Sequence, residues 1–148
     1  MTVVRTCAGL LATAGLICAV AACGAETSST SAQQEVTWEE PAAYNYTLTS
    51  SEGERSLIGR FRVTVRDGRV TEAVGLDDSA RRFVARTPKQ VPTLGALLGE
   101  LEQARSDDAD IAEAEYATDG HPERIFLDRD ENAVDDEARY VVESYEPA

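Results

Sequence analysis

Hydrophobic and polar residues alternate most regularly over Gly59–Arg66. There Phe61, Val63 and Val65 interleave with Arg60, Arg62, Thr64 and Arg66, the period of a strand with one buried face. Asp67-Gly68 follows, a strong signal for a tight hairpin, and Val70 to Leu76 returns as the partner strand. Two registers are open. A two-residue turn sets Val65 opposite Val70, and a three-residue loop with Gly68 in a bulge sets Arg62 opposite Glu72. Upstream, Tyr44, Tyr46 and Leu48 share one face of a strand that ends in a polar turn around Gly53.

The period changes at Thr93. Leu94, Leu97, Leu98 and Leu101 recur at i, i+3, i+4 and i+7, so they line one helix face, and Thr93 stands at the N-cap. The helix is predicted to run to about Arg105. Gly95 and Gly99 weaken it, and are expected to let it lie close on a sheet. Between Asp77 and Pro92 only one helical turn is predicted, capped by Asp78 or Ser79 and reaching Phe83. Alternation resumes at Ala112, Ala114 and Tyr116. A turn at Asp119-Gly120-His121-Pro122, a strand at Ile125–Leu127, an acidic stretch at Asp128–Glu137 and a last strand from Tyr140 to Tyr145 complete the chain. The expected fold class is α+β: an antiparallel sheet of about six strands in βββ-α-βββ order, with one helix packed on one face.

The first residues follow another logic. Met1–Thr6 carries one positive charge, Arg5, and Ala8–Val20 is apolar but shorter than the roughly 20 residues that cross a bilayer. This is the pattern of a secretory signal peptide, expected over residues 1–22. It closes on Val20-Ala21-Ala22-Cys23, which resembles a bacterial lipobox. A cysteine thiol can be alkylated by a diacylglyceryl donor, and the small residues before it give a peptidase access to the backbone. Two acyl chains hold a protein stably, at about 0.8 kcal/mol per buried methylene. Cys23 is therefore the expected lipidation site. Residues 23–35, rich in Ser, Thr, Ala and Gln, form a flexible tether, and residues 36–148 form the single α+β domain. Trp38, the lone tryptophan, is placed at the edge of the core.

Composition narrows the function classes. The chain has 14 basic and 27 acidic residues, for a formal charge of -13. Loss of residues 1–22, with one Arg and no acid, makes it -14. Such a balance argues against nucleic acid, or anionic lipid bound through a basic patch. No cysteine follows Cys23, so the domain must rest on its apolar core.

Candidate chemistry is sparse. Asp128, Asp130 and Asn132 match the start of an EF-hand loop, and Asp135 adds another oxygen ligand. These four would hold a weak calcium ion. The match fails at Ala133, which replaces the turn glycine, and at Arg139, which stands where the bidentate Glu belongs. A solvated strand connection explains the same residues. No cofactor is expected, a weak calcium ion aside. His121 is the only histidine, and a turn explains it better than catalysis does.

The ordered series Tyr44-x-Tyr46, Phe61-x-Val63-x-Val65-x-x-Gly68-x-Val70, Pro92-Thr93-Leu94, Gly120-His121-Pro122-x-x-Ile125 and Asn132-Ala133-x-Asp135-Asp136-Glu137 resembles a family of bacterial secreted lipoproteins, domain of unknown function 6174, over residues 38–146. The resemblance implies a lipidated extracytoplasmic domain without an assigned activity. It also implies a cysteine in the first turn and another near the last strand. Those places are Glu52 and Arg139 here, so the resemblance implies that this chain lacks a disulfide its relatives use. The expected function is a monomeric, non-enzymatic binding module held by its N-terminal lipid at the extracytoplasmic face of the cell membrane. The alternatives are a small inhibitor or regulator of an envelope enzyme, and a weak calcium-binding surface protein.

Overall fold

Six strands form one antiparallel sheet in the computed structural model, which describes residues 38–52, 57–133 and 135–148. These lie within one compact unit, Gln34–Ala148. The signal peptide, Cys23, the tether and Gly53 lie outside the described residues.

The elements are β1 (Tyr44–Ser51), β2 (Gly59–Arg66), β3 (Arg69–Gly75), α1 (Asp78–Arg86), a 3-10 turn at Pro88–Gln90, α2 (Leu94–Ser106), β4 (Ile111–Tyr116), β5 (Pro122–Asp128) and β6 (Ala138–Pro147). The sheet order is β3-β2-β1-β6-β5-β4. Two three-stranded meanders are therefore joined where the first strand pairs with the last. The α+β class and the six strands agree with the sequence reading. The helix count does not, because α1 is a full second helix. Its N-cap is Asp77, whose side chain accepts from the Ala80 N–H. Only Ala80 and Phe83 of α1 are buried, so its apolar stripe is too thin to reveal its length.

Both helices pack on one face. α1 lies against β2 and β3, and α2 against β4 and β5. The alternating residues predicted to face inward do so: Tyr44, Tyr46, Leu48, Phe61, Val63 and Val65 are at most 1% exposed. They share one core with Phe83 of α1 and with Leu94, Leu97 and Leu101 of α2. The β2–β3 hairpin takes the two-residue turn, with Val65 opposite Val70. Asp67 and Gly68 both have positive φ, 53° and 66°, as such a turn requires. A bulge next to Val65 then puts Glu72 opposite Thr64, so the Arg62–Glu72 pair does not form.

The glycines of α2 do not bring it onto the sheet. A side chain at Gly95 would strike the Glu40 carboxylate, and Gly99 faces open space. The close approach is at Gly75, where an added Cβ would overlap the backbone of Ala80 and Arg81 as the chain turns from β3 into α1.

Candidate functional site

Among the described residues, polar side chains and aromatic rings meet where β1 begins and β6 ends. A bulge in β6 creates this cluster. Asn45 pairs with Glu146 but Thr47 with Glu143, so one extra residue is accommodated around Ser144, whose φ is 52°. The shift turns Tyr145 toward the helix side. There it meets Trp38 edge-on at 6.3 Å and Tyr44 at 5.7 Å, and it stacks on the His121 ring at 4.2 Å.

His121 is held from two sides. The Ala117–His121 turn closes through Ala117 N–H to the His121 carbonyl and Gly120 N–H to the Ala117 carbonyl, each 2.9 Å. Gly120, at φ 91°, supplies the backbone shape. Asp119 Oδ1 lies 2.5 Å from His121 Nδ1. Burial opposes charge on Asp119, but the hydrogen bonds from the His121 side chain and backbone outweigh it and hold the carboxyl below its ordinary range. Burial, and then the Asp119 charge, push the Tyr145 hydroxyl up. An acid thus orients the imidazole as it would a general base. Yet among the described residues no hydroxyl or thiol hydrogen-bonds the other ring nitrogen. The pair fixes a turn against Tyr145.

Beside this cluster the start of α2 is fully capped. Leu94 N–H donates to the Tyr44 hydroxyl at 2.9 Å, Gly95 N–H to Glu40 Oε1 at 3.0 Å, and Ala96 N–H to Thr93 Oγ1 at 3.1 Å. Tyr44 donates to Glu40 at 2.5 Å, and Tyr46 donates to the Pro92 carbonyl. Burial pushes both phenols well above their ordinary range. With these donors satisfied internally, this helix end offers none to an external anion.

The four residues marked for calcium lie in and after the end of β5. Asp130 Oδ1 accepts from the backbone and side chain of Asn132, at 3.0 and 3.2 Å. Asp136, not Asp135, turns inward and accepts from Asp130 N–H at 3.0 Å. Among the described residues, Asp128, Asp130 and Asp135 included, no three His, Cys, Asp or Glu side chains are grouped to hold a metal ion. Asp128 Oδ1 and Asp136 Oδ1 are buried without hydrogen-bond partners. Burial, with the charges of Asp136, Glu137 and Asp110, raises the Asp128 carboxyl above its ordinary value.

Glu52 and Arg139, the two places where the resemblance implies cysteines, face each other. Arg139 Nε lies 2.8 Å from Glu52 Oε1, and the guanidinium sits 4.6 Å from the centre of the Phe126 ring. The model of a family of unknown function, DUF6174, matches residues 30–147. The chain belongs to this family. No curated protein and no solved structure matches it.

Sequence reasoning missed Glu40, since nothing in the pattern links it to a helix that begins at residue 94. It also missed the stack of His121 on Tyr145, because a bulge inverts the alternation that would have pointed Tyr145 outward.

Proposed function

We propose that this DUF6174 member is a lipoprotein, exported by a signal peptide over residues 1–22 and anchored through Cys23 at the extracytoplasmic face of the cell membrane. Its monomeric domain is a non-enzymatic binding module whose partner is a protein of the same envelope. The observation that carries the binding reading is the sheet face the helices leave open. Arg60 and Arg62 of β2, Arg139 and Val141 of β6, and Phe126 of β5 alternate with core residues and stand on that face. Thr47 between them is only 7% exposed, covered by its neighbours across the strands, Arg62 and Glu143. Arg60 pairs with Glu143 at 2.9 Å and Arg124 with Glu115 at 2.7 Å. A broad, charge-bearing face suits a polypeptide better than an apolar small molecule.

The test has two parts. Cys23→Ser is expected to abolish lipid labelling and membrane partitioning. A photo-crosslinking residue at Arg62 or Val141 is expected to capture one partner in the intact envelope, while the same residue at Glu102 on α2 captures none. Equal capture from both faces would overturn the reading.

The inhibitor or regulator reading has its own support. The Ala117–His121 turn is ordered and adjoins β4, an edge strand with unpaired backbone groups. It predicts crosslinks at Thr118 in place of Arg62, with inhibition of the captured enzyme.

A further inference from the structure

The acid surplus is not spread evenly. Residues 57–90 contain eight basic and four acidic side chains, and residues 91–148 contain four basic and seventeen acidic ones. The sheet order converts this into a spatial division, because β3 and β2 form one end and β5 and β4 the other. α1 packs on the basic end.

A half-open cleft of about 330 Å³ lies along α1. Arg82 and Arg86 line it one helical turn apart, together with Ser79, Thr87, Phe83 and Ile58, and the Thr87 hydroxyl donates to the Phe83 carbonyl at 3.2 Å. Arg81, next in sequence, is paired with Asp78 at 2.6 Å. Arg82 reaches only Ser79 Oγ, at 3.2 Å. Among the described residues neither Arg82 nor Arg86 has a carboxylate partner, in a chain with nearly two acids for each base. Like charges at i and i+4 repel. The helix dipole favours Arg86 in the last turn of α1, but it does nothing for Arg82 in the middle. Two guanidinium groups one turn apart, in a cleft that Phe83 and Ile58 also line, suit an oxyanion on an apolar stem.

We propose that this cleft binds an oxyanion carried on a small apolar group. A soluble phosphate monoester and an anionic lipid headgroup are the two sources of that chemistry. The site is separate from the proposed partner face, since α1 covers the opposite side of the sheet. It does not depend on the Cys23 anchor.

The test uses the full chain, in detergent for the first arm and as the Cys23→Ser variant without detergent for the second, so that neither detergent nor the proposed anchor masks headgroup binding. In one arm, thermal unfolding is followed with phenyl phosphate up to about 10 mM, where a ligand of about 1 mM Kd raises the melting temperature by several degrees. In the other, co-sedimentation is compared between vesicles of phosphatidylcholine alone and vesicles that also contain phosphatidylglycerol. Arg82→Gln with Arg86→Gln is expected to weaken either response at least tenfold. Both side chains are exposed, so the unliganded melting temperature should hold, and Arg124→Gln serves as a remote charge control. Stabilisation by phenyl phosphate without a preference for anionic vesicles assigns a soluble ligand. A preference lost with the two arginines assigns the headgroup. The proposal is overturned if neither probe acts, or if both act equally on the double variant or respond as strongly to the remote control.

Discussion

The Tyr44 hydroxyl accepts the backbone N–H of Leu94 across 2.9 Å and 50 residues of sequence. One central-strand side chain thereby caps the first turn of the helix that covers the β4–β5 half of the sheet. The other buried sheet tyrosines act in the same direction. Tyr46 donates to the Pro92 carbonyl, and Tyr140 donates to Glu100 Oε2 at 2.9 Å. Three phenols thus supply apolar area to the core and fix the helix position through their polar tips.

Tyr44→Phe keeps the ring and removes the acceptor. Leu94 is fully buried, so its N–H has no route to water. The expected loss is about 1–3 kcal/mol, the cost of an unsatisfied buried donor. Thr93→Ala, which removes an ordinary cap, should cost about 1 kcal/mol. Urea unfolding of the pair measures both. A Tyr44→Phe loss well below that of Thr93→Ala would show that the hydroxyl does not hold the helix.

Asp77 joins α1 to the sheet. Its Oδ1 accepts from Ala80 N–H at 2.8 Å and its Oδ2 from Arg60 N–H at 2.6 Å. The Ala80 hydrogen bond is the chief cause of a carboxyl pKa below the ordinary 3.8. A depressed folded-state pKa stabilises the fold above the unfolded value, and that stability is lost as pH falls through the folded one. Asp77→Asn should therefore be less stable than the parent at neutral pH, with the gap narrowing steadily below about pH 4. Stability curves that run parallel down to pH 2 would contradict this assignment.

Asp128 has the opposite sign. Burial and three nearby carboxylates raise its folded-state pKa, so the native state holds its proton more tightly than the unfolded chain. The stability it contributes is present below the unfolded value and disappears as pH rises through the folded one. Asp128→Asn should accordingly raise the melting temperature at pH 7 and have little effect at pH 3. A lower melting temperature at pH 7 would mean that the charged carboxylate has a counter-ion in solution. Repeating the measurement with several millimolar calcium tests that possibility directly.

The strands and α2 were legible because their residues obey one period each. Phe61, Val63 and Val65 keep period two, and Leu94, Leu97 and Leu101 keep the helical one. The tip of the β2–β3 hairpin was legible as one of two registers, and the left-handed backbone of Asp67 and Gly68 selects between them. α1 was underestimated because its apolar stripe is short, only Ala80, Phe83 and Val84, and is interrupted by Arg81 and Arg82. The Tyr145 cluster was hidden because one extra residue in β6 reverses a face assignment, which no count of alternation can detect. The cleft on α1 was hidden for a different reason. A net charge of -13 sums over a basic block and an acidic one, and only the sheet order separates them in space.

Glu52 and Arg139 form an ion pair that is nearly half exposed on both sides, so it contributes no more than about 1 kcal/mol. Arg139 pairs across the sheet with Ser51, the residue before Glu52, so the two backbones run side by side. Replacing both by cysteine, Glu52→Cys with Arg139→Cys, should give a disulfide that closes a loop of 87 residues. Chain entropy alone would stabilise such a loop by about 4.6 kcal/mol. Loss of the ion pair and of the Phe126 contact offsets part of this, as does the left-handed backbone at Glu52, φ 69°. A net gain of about 2 kcal/mol is expected, abolished by reductant, with the crosslinked peptide identified by mass. Two thiols that stay free under oxidising conditions would mean that the pair cannot stand in for the disulfide implied by the family resemblance.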